Sequence, residues 1–437
     1  MRPNHFSLLV VLFLALVSTA LASTTWYVDG VSGFDGNNCT SPTTACKTIA
    51  HAIEAAVSGD SILVAPATYT ENLSISKNLR ILGSGATTTI IDGGGARVVT
   101  IQPSVHVTLT DMTIRNGVSK SDSGSGGVAN FNGVLTLTRI VVTGNSGLLA
   151  GGLENEGSLT INSSTISGNT VTRIKCVFFC FQPGGGGIRN LGALTIHNSI
   201  ISGNSEEVTP GGGILNGYGG RVTISRSTIS GDSGDGIFNL EGPATISQST
   251  FSGNRGAGIG GGSIFIHGPM SVSVINSTIS GNGGGIGVSF AGRTRISLSN
   301  STVSGNSGTG ISVLDTTNSN VALKNSIVAN NSGGNCSIRS GTLTSVGHNL
   351  SSDATCDFGS TGDLNNIDPM LGPLQKNGGP TQTMALPSGS PAIDAGNPHG
   401  CRDNLGNLLN TDQRGMPRHD KEDTGGCDMG AYESQRD

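Results

Sequence analysis

LTINSSTISGN, residues Leu159 to Asn169, decides the fold. In its first half Leu159 and Ile161 alternate with Thr160. A strand sends such alternating residues to opposite faces, so the two aliphatics point inward. Asn162-Ser163 reads as a tight corner, because Asn tolerates a left-handed backbone and Ser can bond locally. Ser164-Thr165-Ile166-Ser167 then buries Ile166 between two outward hydroxyls, and Gly168-Asn169 ends the unit.

The unit recurs as VTLTDMTIRNG from Val107, LTLTRIVVTGN from Leu135, LTIHNSIISGN from Leu194 and VTISRSTISGD from Val222. Further copies begin at Ala244, Val272, Ile296 and Val321. Most intervals between closing pairs fall between 22 and 28 residues, and one, across Thr170 to Pro183, stretches to 35. Short strands repeated at this period, without a helical pattern, mark a solenoid. A third strand precedes each unit: GGVAN from Gly126, GGLEN from Gly151, GGIRN from Gly186, GGILN from Gly212, DGIFN from Asp235 and GGIGV from Gly284. Stacking would align Asn130, Asn155, Asn190, Asn216 and Asn239 as a ladder of amides bonded along the axis. Three in-register strands per coil define an all-β parallel β-helix. Ten to twelve coils at ~4.8 Å give a rod on the order of 50–60 Å long.

Upstream, SILVAP, LSIS, LRILGSG, TTIIDG and RVVTI, between Ser61 and Ile101, read as irregular early coils. Thr48 to Val57 reads as an amphipathic helix with Ile49, Ile53, Ala56 and Val57 on one face, suited to capping the first coil. The last hundred residues stop repeating.

These coils resemble right-handed parallel β-helix proteins of pectin-lyase-like fold, and the right hand is implied by that resemblance. GHNL from Gly347, IDPMLGPLQKNGGPTQTMALPSGSPAIDAG from Ile367, TDQRG from Thr411 and CDMGAYE from Cys427 resemble, in order, the C-terminal module of choice-of-anchor Q proteins. CTSPTTACKTIAHAIEAA from Cys39 fits the same proteins, so the resemblance spans nearly the whole chain. It implies a cell-surface role with an anchoring signal beyond the module. The sequence stops at Asp437, four residues after Glu433, without an apolar tail, so free secretion or periplasmic residence is expected. The expected organisation is a signal peptide (1–22), an N-terminal cap (23–58), the β-helix (59–335) and an irregular C-terminal cap (336–437) closing the far end.

Arg2, the apolar run Leu8 to Val17 and Ala20-Leu21-Ala22 before Ser23 form the secretory signal. No later segment is apolar enough to span a bilayer. Eight cysteines in an exported chain point to local bridges: Cys39 with Cys46, Cys176 with Cys180, Cys336 with Cys356, and Cys401 with Cys427. Metal binding by Cys176 and Cys180 lacks nearby partner ligands. The sequons at Asn72, Asn162, Asn276 and Asn300 fall out of the repeat itself. Charged residues are only 12%, with a net charge of −5, which excludes both a disordered polyelectrolyte and a basic nucleic-acid surface. A monomer is expected.

Chemistry must be sought on the irregular positions. Arg173-Ile174-Lys175 and Asn410-Thr411-Asp412 match elements of the polygalacturonase set, but in reversed order. Gly347-His348-Asn349 departs from the set's Gly-His-Gly, and these matches read as coincidence. The better candidate is the outward face of the third strand, with Glu154, Arg189, Leu215 and Phe238 on successive coils and Asp232 and Asp235 nearby. Gly residues before them leave a flat floor, and Phe178, Phe179 and Phe181 could form an apolar lip. The plainer alternative is a surface ion pair between Glu154 and Arg189, worth little, with the phenylalanines packed onto a coil.

The resulting expectation is an exported, non-catalytic β-helix surface protein contacting polysaccharide or envelope glycan, with no cofactor or metal. The rival is a polysaccharide lyase or glycoside hydrolase around Glu154, Arg189 and Asp235, with calcium only if a lyase. A further alternative, ice binding, rests on hydroxyl columns formed by Thr165/Ser167, Thr228/Ser230, Thr250/Ser252, Thr278/Ser280 and Thr302/Ser304. Their plainer role is that of solvated strand residues.

Overall fold

The computed structural model describes residues 23–120, 124–172, 184–206, 211–217, 219–240, 242–262, 270–289, 294–314, 319–418 and 426–435. Residues 1–22, Cys176, Cys180 and the three phenylalanines of the insertion lie outside them.

The repeat unit folds as its alternation dictates. Ser158–Asn162 pairs in parallel with Val134–Thr143 below and Ala193–His197 above, aligning Leu159 with Leu135 and Leu194. Thr165–Ser167 then pairs with Ile200–Ser202. Inward aliphatics such as Leu159, Ile161 and Ile166 are almost fully buried in one continuous core. Among the described residues the solenoid comprises parallel sheets of 24, 11 and 3 strands. The largest is two faces joined where His106–Arg115 and Val134–Thr143 run unbroken through a corner.

That corner differs from expectation by one residue. Asn162 is the last residue of its strand, paired with His197, and the left-handed backbone falls on Ser163 at φ +48°. Asn198, Asn276, Asn300 and Asn325 occupy the equivalent position in other coils, as do Arg226 and Gln248. The next residue, Ser164, is buried. Its Oγ donates to Asn162 O (2.7 Å) and accepts from Ile140 N–H (3.0 Å), and Ser164 N–H donates to Ser199 Oγ (3.1 Å). Ser227, Ser249, Ser277 and Ser301 extend this serine ladder. At the second corner Gly168 and its equivalents adopt φ near +62°, a left-handed conformation that glycine enters without steric cost.

The expected Asn ladder is present. Asn130 Nδ2 donates to Asn155 Oδ1, Asn155 to Asn190, Asn190 to Asn216 and Asn216 to Asn239, at 2.7–2.8 Å. A second ladder runs through the closing pairs, from Asn145 to Asn169 to Asn204 and on to Asp232.

The N-terminal helix covers Ile49–Ala55 and buries Ile49, Ala52 and Ile53 against the first strands. Val57 lies beyond its end and is exposed, unlike the expectation, because the chain turns extended at Ala56. The carboxylate of Glu71 accepts from Ile49 and Ala50 N–H, and Lys77 Nζ donates to Ile53, Glu54 and Ala56 carbonyls at 2.7–3.0 Å. Both charges complement the helix dipole. Lys77→Met should cost about 1–2 kcal/mol, read as a lowered midpoint in urea and faster amide exchange within the helix.

Parallel pairing continues past residue 335 through Cys336–Ile338, Thr342–Ser345 and Leu350–Ser351 to Leu364–Asn365. The far end is covered by the segment carrying Phe358, which is buried in the core beside the Cys336–Cys356 bridge. The rest of the C-terminal module does not close that end. It folds back along the flank, where Thr250 Oγ1 donates to Gln382 O, Thr278 Oγ1 to Gln413 Oε1, and Ala431 N–H to Thr302 Oγ1. The outward positions of these coils supply the hydrogen bonds that a module with one short antiparallel strand pair cannot make internally. The hydroxyl columns are therefore not solvated throughout. Thr165, Ser167, Thr228 and Ser230 are partly exposed, whereas Thr250, Thr278, Ser280, Thr302 and Ser304 are buried. Cys39–Cys46 and Cys401–Cys427 are also bridged.

Candidate functional site

The third strands stack in register as Leu153–Asn155, Ile188–Asn190, Ile214–Asn216 and Ile237–Asn239. Register brings Glu154, Arg189, Leu215 and Phe238 into one column, with Ala129 below. The paired glycines before each strand pack against the backbone of the next coil; a methyl on Gly187 would approach Gly213 O to 2.7 Å. Side chains are thereby excluded from this floor.

Arg189 Nη1 donates to Glu154 Oε1 at 2.8 Å, but this is not the surface ion pair of the plainer reading. The Glu154 side chain is 3% exposed and that of Arg189 18%. Burial pushes the Glu154 carboxyl above its ordinary range; Arg189 and, more weakly, Arg97 oppose this, and Glu156 adds to it. Among the described residues Glu154 Oε2 and Arg189 Nε have no hydrogen-bond partner. Buried polar atoms in that condition are costly and rare. Below the pair, Arg97 stacks over the Phe131 ring at 5.5 Å and donates to Ser125 O.

Leu215 is buried and Phe238 half-buried, so Phe238 is the aromatic surface that the column offers. Asp235 is largely buried at the edge of this strand. Asp232 does not reach the face. It is fully buried as a rung of the closing-pair ladder, accepting from Asn204 N–H (2.8 Å) and Nδ2 (3.1 Å). The lip formed by Phe178, Phe179 and Phe181 lies outside the described residues, as does Arg173-Ile174-Lys175. Asp412 is fully buried in the C-terminal module, where Arg414 and the Glu433 N–H bond its carboxylate. It serves structure there, away from the column.

One acid was missed by sequence reasoning. Glu206, aligned with Val171 of the coil below, turns its carboxyl toward the stacked Gly184 and Gly211 and accepts from Gly184 N–H at 3.2 Å. Desolvation pushes it up to about 8. Aligning Gly168-Asn169-Thr170-Val171 with Gly203-Asn204-Ser205-Glu206 would have exposed it as an acid in an apolar column. No three acidic, His or Cys ligand atoms gather closely among the described residues except at Cys39, Cys46 and His51, whose cysteines bond each other.

The sequence pattern of the right-handed β-helix region matches residues 262–361. No protein of curated function matches the chain. Among solved structures, the complex of XylC with xylose superposes with a TM-score of 0.51 at 9% identity, over 81% of this chain and 88% of that one. Pectate lyase Pel9A gives 0.40 at 15% identity, over 95% and 97%. A rhamnogalacturonan lyase gives 0.41 at 12% identity, over 84% and 96%. At 9% identity the likeness to XylC is one of fold: this chain is a parallel β-solenoid, of which residues 262–361 match the right-handed β-helix region.

Proposed function

We propose that this chain is an exported, non-catalytic β-helix that binds an extended polysaccharide along the column from Glu154 to Phe238. The observation that carries this reading is the buried Glu154–Arg189 pair, whose Oε2 and Nε are unpartnered among the described residues beside a glycine floor. Sugar hydroxyls are donors and acceptors that would complete both groups. Phe238 gives an apolar surface next to them. The fold-level likeness to XylC bound to xylose is compatible with a sugar ligand but assigns none. Three disulfides among the described residues suit an oxidising, extracytoplasmic compartment, and no described helix is long and apolar enough to cross a membrane. In this reading the protein acts as a monomer and needs no cofactor.

Glu154→Gln combined with Phe238→Ala should weaken the best glycan-array ligand about tenfold or more, equivalent to ~1.4 kcal/mol. Unchanged binding by a folded double variant would sink the reading. A second reading, polysaccharide cleavage, draws on Glu206, whose carboxyl is pushed up to about 8 one coil above Val171. Raised carboxyl acids of that kind serve as proton donors. Release of reducing ends or unsaturated uronides from a polysaccharide panel, with and without calcium, and lost in Glu206→Gln, would favour that reading over binding alone.

A further inference from the structure

Asp232 interrupts a ladder built otherwise from asparagine. In the rungs around it, each Nδ2 donates to the next rung's Oδ1 and to a carbonyl of the coil below. Asn169 reaches Asn204 Oδ1 and Val142 O; Asn204 reaches Asp232 Oδ1 and Ile166 O; Asn254 reaches Asn282 Oδ1 and Ile229 O. By the same register, the acceptors facing Asp232 are Asn254 Oδ1 and Ile201 O. Asp232 Oδ2 stands where those Nδ2 atoms stand. A methyl on Gly213 would meet it at 2.7 Å, just as one on Gly187 would meet Asn204 Nδ2 at 3.0 Å and one on Gly152 Asn169 Nδ2 at 3.1 Å. Yet Asp232 Oδ2 is buried with no hydrogen-bond partner among the described residues. A carboxylate cannot donate, whereas a carboxylic acid carries one O–H.

We propose that Asp232 is a protonation-dependent rung: as the neutral acid it donates from Oδ2 and closes the ladder, and as the carboxylate it breaks the ladder and loosens this coil. The charged and titratable groups around it are few. Glu206 follows Asn204 on the coil below, Asp235 follows Asp232 itself, and on the coil above Arg255 donates its backbone N–H to Asp232 O. Desolvation pushes the Asp232 carboxyl up to about 7. A folded value above the unfolded one means that the folded chain binds more protons. The resulting stabilisation is complete below the unfolded value of 3.8 and is lost as pH rises through about 7.

The test compares full-length wild type with Asp232→Asn, which installs the rung used by neighbouring coils. The melting temperature of the variant should match wild type near about pH 4 and exceed it by several degrees near about pH 8.5. A margin independent of pH, or none at either pH, overturns the proposal. Hydrogen exchange on wild type gives an independent reading. After correction for intrinsic rates, protection of the Asn204 amide, which bonds Asp232 Oδ1, should fall selectively above about pH 7 relative to the Asn169 amide. Parallel behaviour of the two amides would likewise overturn it.

Discussion

Replacing Arg418 by methionine should release the C-terminal module from the flank of the solenoid while leaving the coils folded. Arg418 is fully buried and, among the described residues, the largest side chain in that condition. Its Nη1 donates to Glu433 Oε2 at 2.8 Å, and its Nη2 donates to Gly430 O at 2.7 Å and to Asn276 Oδ1 at 2.8 Å. One guanidinium thus ties two parts of the module to a corner residue of the β-helix. Its removal leaves the Glu433 carboxylate buried without its cation, and breaking a buried pair from one side costs about 3–5 kcal/mol. The expected result is rapid proteolysis between residues 366 and 418 and early loss of protection there. Circular dichroism should still report strands. Arg418→Met with Glu433→Leu should recover much of the loss, because the penalty comes mainly from the orphaned charge. A single variant as protease-resistant as wild type would show that the module is held by other contacts.

Asn282→Ala should destabilise the coils themselves by about 3 kcal/mol. Asn282 is buried, and its Oδ1 accepts from both Asn254 N–H and Nδ2 at 3.0 Å. Its Nδ2 donates to Asn306 Oδ1 and to Phe251 O, also at 3.0 Å. Alanine keeps the backbone but strands two donors and a carbonyl where water cannot replace the lost partner, at roughly 1–3 kcal/mol for each unsatisfied group. Thr195→Ala, on an exposed strand position, should stay within about 0.5 kcal/mol of wild type. Urea midpoints at constant slope would separate the two. Equal midpoints would mean that the ladder contributes register and not stability.

The coil was legible because its signal is local. Leu159 and Ile161 alternate with polar residues, and the period of two permits only one buried face. The Asn ladder was legible because the repeat stacks identical residues once register is assumed. The left-handed corner was placed one residue early because Asn is the habitual occupant, whereas strand pairing to His197 keeps Asn162 extended and passes the turn to Ser163. Asp232 was read as lying near the outward face, and Ser164 was given no inward role. Both point inward, since a corner takes hydroxyls, amides and acids into the axis where they bond the neighbouring coil. For Glu154 and Arg189, the repeat gave the adjacency, but their burial depends on how closely the glycine turns stack. The docking of the module was beyond reach, because Thr278 and Gln413 are 135 residues apart and no period relates them.

That separation has a consequence for how the chain comes together. Each regular coil, from Val107 to Asn331, pairs with the previous one across 22 to 35 residues, so loop closure is cheap and the stack can grow one turn at a time. The module closes contacts spanning 72 to 164 residues, onto coils that must already exist. Synthesis from the N-terminus therefore allows the coils to assemble before the residues of the clasp are made. The clasp then fastens last, binding together coils from Gln248 to Asn325 that would otherwise be joined only to their immediate neighbours. Pulled from its ends, such a molecule should yield first in the unclasped N-terminal coils.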